Sequence, residues 1–487
     1  DVVSGNVTAA PGTATQNFWI QNAGVLTSSS GTLTFDFQTP FSTTGAEDQS
    51  VRVLIEDYDG FTPLQVVKNG PGGVNNFDQA NTYSGGTIIN AGRISVANVN
   101  ALGSGPLTVN SGGQAFLSLA SATYVTPITI SGMGPSETSG NLGAIRFNSN
   151  TFAGELTVDA AGARVGASGG ATGIITGELK GTGNLEINSN AAGHDGTISL
   201  NGFNPDYSGI VQVAKGRLNI SDTLGGSVAV TDGAALGGEG IINGALSLGT
   251  STGANLYVSA SSPQGLLAEN LTLNGVSNVF LDSPPTSPDP ITVIEYTNLV
   301  SGGISNLQVA PSSGVRGTFA DTGSAITLTL QNEARTWSGA VNGSWDITSL
   351  NWVEGDQRFV AGDPVTFSDS GSNKTISIPS AVSPASVLIN NSSGNNYAFT
   401  GRINVPATGT FTKQGTGNLT FSGTPSSISV PVTINGGLVT LGTTDYLRAF
   451  GPSPEIILNG GTLRVNGINL LYDGGGSHIV TVNSGAT

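Results

Sequence analysis

The sequence predicts an all-β solenoid, a fold in which short strands stack coil upon coil. Residues 83–96 read as two short strands in which apolar and polar residues alternate, joined at a glycine. The same motif recurs at 207–220 and, in a degraded form, at 432–441. Glycine supplies 72 of the 487 residues, about twice the usual share of ~7%. No long stretch shows the period of an amphipathic helix. Internal repeats of this kind are typical of stacked, quasi-one-dimensional architectures.

The flanks of each copy also recur, so a larger unit is repeated. A lysine followed by spaced glycines stands upstream of each copy, at Lys68, Lys180 and Lys413. Lys68 and Lys413 are separated by the same number of residues as Ile89 and Ile434, so the first and last copies are in register. Coils of about 20–25 residues would give roughly twenty rungs about 4.8 Å apart, which predicts a rod on the order of 100 Å long.

Apolar residues alternate with polar ones inside the repeated phrase, which indicates strands with one buried face. We expect the apolar set of the first two copies to point into the solenoid. This set is Thr87, Ile89, Ile94, Val96, Val211, Val213, Leu218 and Ile220.

The lysine and glycines, the phrase Asn-Thr-Tyr-Ser-Gly-Gly-Thr at 81–87 and the pattern Ile-x-x-Gly-x-Ile together resemble the autotransporter-associated β-strand repeat of bacterial surface and secreted proteins. Residues 337–367, with three tryptophans, are similar to the lead-in that often precedes such repeats. The resemblance covers roughly residues 60–120, 175–250 and 337–470. It implies a right-handed parallel β-helix that is exported to the outside of a bacterium.

The chain divides into three predicted segments. Residues 1–60 form an irregular β lead-in that could serve in assembly, and residues 61–335 form the first solenoid unit. Residues 336–487 hold the tryptophan-bearing lead-in and the start of a second unit. A cluster of prolines within 284–290 predicts a bend, because proline cannot donate a hydrogen bond to an internal strand.

Composition excludes several classes of function. The net charge is −16, and an acidic surface repels nucleic acid and anionic lipid. No apolar run approaches the ~18 residues of a membrane span, which predicts no membrane insertion. The chain has no cysteine, so it has neither disulfides nor thiolate metal sites. It begins at Asp1 without a methionine or a signal peptide, which predicts a processed or excised chain.

Acidic residues offer the first candidates for chemistry. Residues 56–60 could be a calcium loop or a pair of catalytic carboxylates, but they lack the downstream bidentate glutamate of an EF-hand, which favours a solvated turn. Asp363, Asp369 and the acidic residues of 354–356 are interpreted in the same way. His194 and His478 each lie alone in a glycine-rich loop, so we interpret both as surface residues.

Serine-centred motifs offer the second candidates. Residues 249–253 and 166–170 match Gly-x-Ser-x-Gly, but a nucleophile elbow also needs a strand-to-helix turn, which a solenoid does not supply. The sequence therefore predicts no catalytic, cofactor-binding or metal-binding residue.

The three tryptophans of the lead-in have two interpretations. Trp337, Trp345 and Trp352 could stack on the sugar rings of surface glycans, or they could cover the apolar end of a coil stack. The second interpretation is favoured, because an open solenoid end must be covered.

The strand ends predict self-assembly. Ile479, Val480 and Val482 form a last strand with no cover, and the early strand that contains Thr32, Phe35 and Phe37 could pair with it in a second copy. Such a head-to-tail contact generates open filaments. The sequence therefore predicts a non-enzymatic extracellular structural protein of a bacterium, a subunit of a surface fibre or an adhesive stalk. The alternatives are a carbohydrate-active β-helix enzyme and an autotransporter passenger domain lacking its barrel.

Overall fold

A computed structural model describes residues 6–9, 18–38, 49–137, 139–262, 264–282, 290–422, 426–442, 455–466 and 479–487. Over these ranges the protein is all-β, and its only helices are the two single 3-10 turns Ile304–Asn306 and Pro311–Ser313. None of the described helices is long and apolar enough to cross a membrane.

The chain forms two compact units. The first comprises residues 1–308 and 319–328, and the second comprises residues 309–318 and 329–487. The second unit therefore begins a few residues before Trp337 and also takes in a short earlier segment. Most of the proline cluster at 284–290 lies outside the described residues, and Pro290 directly precedes a strand that starts at Ile291.

The strands of the first unit are short. Four of the longer ones bend, so that their two halves pair with neighbours in different ladders. The strands that lie wholly or mostly in this unit are β1 (Asn6–Ala9), β2 (Phe18–Leu26), β3 (Thr32–Phe37), β4 (Gln49–Ile55), β5 (Gln65–Asn69), β6 (Gly73–Phe77), β7 (Thr87–Ile89), β8 (Gly92–Val96), β9 (Leu107–Val109), β10 (Gly113–Leu117), β11 (Thr123–Tyr124), β12 (Ile128–Gly132), β13 (Ser136–Glu137), β14 (Gly140–Asn141), β15 (Ile145–Phe147), β16 (Asn150–Phe152), β17 (Leu156–Ala167), β18 (Thr172–Ile175), β19 (Leu179–Gly181), β20 (Leu185–Ile187), β21 (Thr197–Leu200), β22 (Ile210–Val213), β23 (Arg217–Ile220), β24 (Thr223–Leu224), β25 (Ser227–Val230), β26 (Ala235–Gly238), β27 (Ile241–Leu248), β28 (Asn255–Val258), β29 (Leu266–Leu273), β30 (Ser277–Leu281), β31 (Ile291–Ser301), β32 (Leu307–Val309), β33 (Gly317–Asp321) and β34 (Ala325–Leu330).

Most of these strands pair in parallel along three ladders, whereas β31 and β34 pair antiparallel. The first ladder runs β1-β3-β5-β7-β9-β12 and continues through the start of β17 to β19. The second runs β2-β4-β6-β8-β10-β15 and continues through the end of β17 to β20, β22 and β25. The third runs β11-β16-β18-β21-β23-β26-β28-β30-β32. The chain passes from one ladder to the next and returns one rung higher, so most pairings join strands that lie some 20 residues or more apart.

The interior side of these ladders is apolar, as the alternation predicts. All eight residues expected to point inward are at most 1% exposed, so that prediction is confirmed. Each buried aliphatic side chain contributes roughly 1.5–3 kcal/mol relative to an exposed one. The stacking therefore supplies the core that a single flat sheet would lack.

The predicted lead-in is not a separate segment. β3 pairs in parallel with β5, and β4 pairs in parallel with β6, so residues 32–55 belong to the same ladders as residues 65–77. No boundary falls near residue 60. The hairpin of β13 and β14 is the one antiparallel excursion between β12 and β15 in the described residues.

The second copy of the repeat lies one ladder further along than the first. Thr87–Ile89 belongs to the first ladder and Gly92–Val96 to the second, whereas Ile210–Val213 belongs to the second and Arg217–Ile220 to the third. Alternation fixes which side chains face the interior, but it does not fix the ladder. The two copies are therefore equivalent in burial and not in position.

The second unit contains two parallel ladders. Its strands are β35 (Arg335–Thr336), β36 (Pro364–Ser368), β37 (Thr375–Val382), β38 (Ser386–Asn390), β39 (Tyr397–Val405), β40 (Phe411–Gln414), β41 (Leu419–Ser422), β42 (Ser427–Ile428), β43 (Val432–Ile434), β44 (Leu438–Leu441), β45 (Ile456–Leu458), β46 (Thr462–Val465) and β47 (Val480–Val482). One ladder runs β35-β36-β38-β40-β43-β45-β47, and the other runs β37-β39-β41-β44-β46.

Candidate functional site

The three tryptophans lie in the core of the second unit. Trp337 and Trp345 are 0% exposed and Trp352 is 1% exposed. Trp337 and Trp352 meet edge to face at 5.2 Å, and all three rings pack against Phe367 of β36. No ring face is left for a sugar, so the glycan-stacking interpretation is wrong. The favoured interpretation agrees with the structure, because the cluster fills the interior at the first strands of this unit.

The predicted assembly strand at the N-terminal side is not an open edge. β3 pairs with β1 along one edge and with β5 along the other. Phe35 and Phe37 are 0% exposed, and Thr32 pairs with Gln65. The part of the prediction that used Thr32, Phe35 and Phe37 is therefore wrong, because the backbone groups of this strand already have partners.

The last strand does present an edge. β47 pairs with β45, and among the described residues no strand pairs with its other edge. Ile479, Val480 and Val482 are 61%, 36% and 57% exposed. These three aliphatic side chains and the unpaired strand edge form one exposed surface.

The acidic residues at 56–59 organise turns. The Asp57 carboxylate accepts hydrogen bonds from the backbone N–H of Leu64 (2.7 Å) and of Ser84 (2.9 Å) and from the Ser84 hydroxyl. Burial alone would raise the pKa of Asp57, but these hydrogen bonds hold it below the ordinary value. Asp59 accepts the N–H groups of Phe61 and Thr62. Both carboxylates are committed to the backbone, as expected for a turn.

The acidic residues near the tryptophans form a buried ion network. Asp363 is 0% exposed and lies 3.1 Å from Arg316 and 3.6 Å from the fully buried Arg335. It also accepts the backbone N–H groups of Glu333 and Val360, both at 2.9 Å. These contacts bind the carboxylate within the core, which favours a structural role.

The Gly-x-Ser-x-Gly stretch at 249–253 forms a loop around the side-chain carboxylate of Asp232. Asp232 accepts hydrogen bonds from the hydroxyls of Thr250 and Ser251 and from the four backbone N–H groups of residues 250–253. These hydrogen bonds, those of Thr250 and Ser251 above all, hold the pKa of Asp232 far below its ordinary value. The Ser251 hydroxyl donates to this carboxylate, which favours a turn over a nucleophile elbow. In the other stretch, the Ser168 hydroxyl accepts a hydrogen bond from Arg146.

Of the two histidines, only His194 lies within the described residues. His194 is only 5% exposed, which differs from the predicted surface position, and its burial together with the positive charge of Arg146 lowers its pKa. His478 lies outside the described residues. The described part of the chain contains no group of three or more metal-ligating His, Asp or Glu side chains.

Two lysines of the repeat are buried, which the sequence did not predict. Lys68 and Lys413 are both 0% exposed. The Lys68 ammonium donates to the carbonyls of Asn69 (2.6 Å), Gly70 (2.9 Å) and Ala91 (3.2 Å). Burial lowers the pKa of Lys68 to about 7 and that of Lys413 to about 8.

The same cradle recurs around Lys413. Its ammonium donates to the carbonyls of Gln414, Gly415 (3.1 Å) and Gly436 (3.3 Å). Gly437 follows with φ +73°, and a Cβ there would lie 2.2 Å from the Gly417 carbonyl oxygen and 3.0 Å from Lys413 Nζ. The glycines of the motif therefore leave room for the ammonium, which ties two successive turns together.

Lys180 does not occupy the equivalent position. It lies on the surface, 2.9 Å from Glu155 and 3.1 Å from Glu178. The residue that faces Val213, as Lys68 faces Ile89, is Ile187. The following Asn188 is fully buried, and its amide donates to the carbonyls of Gly196 and Lys215, both at 2.9 Å. An asparagine amide thus replaces the ammonium in the second copy.

A second feature that the sequence did not reveal is a cation–aromatic stack. The guanidinium carbons of Arg93 and Arg146 lie 5.5 Å and 5.0 Å from the centre of the Phe116 ring. Glu137, on the β13–β14 hairpin, is 8% exposed beside them. Burial raises the pKa of Glu137, while Arg93 and Arg146 oppose that shift. Arg93 and Arg146 lie 23 and 30 positions from Phe116, so only the stacking of rungs brings them to the same ring.

A polar groove lies on the outer side of the third ladder. It has a volume of about 450 Å³. We call it the Arg217 groove, and its lining includes Asn201, Arg217, Ser221, Glu239, Ser259 and Asp282.

Comparison with known proteins gives no assignment. No protein-family model, no curated protein and no solved structure matches the chain.

Proposed function

We propose that this chain is a non-enzymatic structural protein built as a right-handed parallel β-helix, with a place outside a bacterial cell in a surface fibre or an adhesive stalk. The observation that carries the proposal is the long run of parallel ladders in both units. The carboxylates at 57, 232 and 363 accept hydrogen bonds from backbone N–H groups, and that of Asp363 also pairs with an arginine, which supports a structural role for them. The resemblance to autotransporter-associated repeats supports the extracellular location.

Assembly in this proposal uses the edge of β47 and the edge of β1. Among the described residues, β1 stands at one end of the ladder that contains Lys68, and β47 stands at the end of the ladder that contains Lys413. Pairing β47 of one copy with β1 of another would continue a ladder of the same kind. Such β-augmentation satisfies the exposed edge and covers its aliphatic side chains.

The test is the state of the purified chain as its concentration is raised, followed by sedimentation velocity and negative-stain electron microscopy. We expect filaments for the natural sequence. The double variant Val480→Lys/Val482→Lys should remain monomeric, because two charges on an edge strand oppose pairing. Ser393→Lys, at an exposed loop position, is the control and should still assemble.

Two results would contradict head-to-tail assembly through these strands. One is a natural chain that stays monodisperse at every concentration. The other is a double variant that forms the same filaments as the natural chain.

A further inference from the structure

The floor of the Arg217 groove is held rigidly. Arg217 makes a bidentate pair with Asp282, at 3.0 and 2.7 Å, and its Nε donates to Asn219 at 2.6 Å. The guanidinium carbon lies 4.1 Å from the centre of the Tyr257 ring, and Tyr257 stacks on Phe280 at 4.7 Å. These contacts join residues up to three rungs apart, so the groove exists only in the stacked state.

A glycine makes room for this floor. Gly237 pairs with Asn219 on one neighbouring strand and with Tyr257 on the other. It therefore leaves a gap in the row of outward-facing side chains on this ladder. A Cβ at this position would lie 2.5 Å from Arg217 Nη2 and 2.8 Å from Asn219 Oδ1. The interruption at Gly237 is therefore what lets the guanidinium cross a rung and reach Asp282.

The groups around the floor are complementary to hydroxyl groups. Asn201 and Ser221 are exposed at the ends of neighbouring strands, and the Ser221 hydroxyl donates to Asn201 Oδ1 at 2.8 Å. Ser259 and the exposed carboxylate of Glu239 stand on the next rungs. An amide, two hydroxyls and a carboxylate offer donors and acceptors in the mixture that a polyhydroxylated ligand requires.

We propose that the Arg217 groove binds a neutral oligosaccharide, which would run across the rungs of the third ladder. The volume of about 450 Å³ is within the range of small-ligand sites. Asp282 already neutralises Arg217, so Glu239 leaves the groove with a net negative charge that disfavours acidic sugars. This site is separate from the buried tryptophans, and it does not depend on filament assembly.

The experiment is a screen of the full chain against a panel of neutral and acidic oligosaccharides, followed by calorimetric titration of the best neutral binder. The test variant is Asn201→Ala/Ser221→Ala, in which both members of one hydrogen-bonded pair are removed, so that neither is left unpaired. The matched control is Gln212→Ala, an exposed residue on the second ladder. We expect the double variant to weaken binding about tenfold or more, because two hydrogen bonds to the ligand are lost, and the control to leave it unchanged.

The proposal fails if no neutral oligosaccharide binds, if acidic ones bind more tightly, or if the double variant and the control bind alike. Circular dichroism of each variant shows that it retains the β fold. Because the variants lie far along the chain from β47, the filament assay reports on the proposed structural function independently of glycan binding.

Discussion

Lys68 and Lys413 are buried cations whose hydrogen-bond partners are backbone carbonyls of successive turns. In the second copy of the repeat, the Asn188 amide makes the equivalent hydrogen bond to the next turn. This position between two turns therefore requires a hydrogen-bond donor, and the donor need not carry a positive charge. A sequence cannot show this, because lysine is almost never fully buried and Lys180 has the same motif in an exposed position.

Replacing Lys68 with methionine should lower the free energy of unfolding by about 1–3 kcal/mol, because three carbonyls lose their donor. Lys180→Met is the control, and it should have a much smaller effect because that side chain lies on the surface. Chemical denaturation of both variants at neutral pH measures the difference. Equal effects would show that the burial of Lys68 has no energetic consequence.

The same residue predicts a dependence on pH. Burial lowers the pKa of Lys68 from 10.5 to about 7, so between these values the unfolded chain binds more protons than the folded chain. Stability from this group therefore rises as pH increases from about 7 to about 10.5. The gap between the natural chain and Lys68→Met should widen over that window. A gap that narrows or stays constant would contradict the assignment.

At the scale of strands, the sequence predicts which side chains face the interior, but it does not predict which ladder a strand joins. Period two places Ile89 and Val211 inside whatever ladder they join, and both are fully buried. Which ladder a strand joins depends on the number of residues in each turn between strands, and no local sequence pattern encodes that number. For the same reason β3 looked like a free strand in the sequence, although its edges are paired with β1 and β5.

Adjacent isoleucines of β7 test the register. Ile89 is 0% exposed and Ile88 points outward, half-buried. Ile89→Ala should cost about 2–5 kcal/mol of stability through the cavity it leaves. Ile88→Ala should cost roughly 1 kcal/mol or less. Thermal or chemical unfolding distinguishes the two, and equal costs would show that the register is wrong.

The buried ion network of the second unit gives a further matched pair. Asp363→Ala leaves the buried Arg335 without its buried partner, which should destabilise the unit by about 3–5 kcal/mol. Glu333→Ala removes a carboxylate 3.0 Å from the same arginine, but that carboxylate is 46% exposed. An exposed pair contributes about 0–1 kcal/mol. Similar losses in the two variants would contradict the structural role of Asp363.

At the scale of the whole molecule, the proposal of a structural protein predicts no turnover of polysaccharides. Incubation with a broad set of neutral and acidic polysaccharides should release no product above the rate of the Asp57→Asn/Asp59→Asn variant. Chromatography of the reaction mixtures is the measurement. Product release that this variant abolishes would favour the carbohydrate-active alternative.

The central claim is that successive coils of the chain stack in register as parallel rungs. Asn69, Asn90 and Asn110 test it, because their amides form a ladder, with hydrogen bonds of 2.8 and 2.7 Å between neighbours. The chain has no cysteine of its own, so an introduced pair can form only one disulfide. A disulfide requires Cα atoms about 4.4–6.8 Å apart, which adjacent rungs satisfy and alternate rungs do not.

Mass spectrometry of two double variants under mild oxidation is therefore the most direct measurement. Asn90→Cys/Asn110→Cys, on adjacent rungs, should form an intramolecular disulfide in nearly all molecules. Asn69→Cys/Asn110→Cys, two rungs apart, should remain reduced. Failure of the first pair to close, or equal closure of both pairs, would contradict the stacked parallel fold.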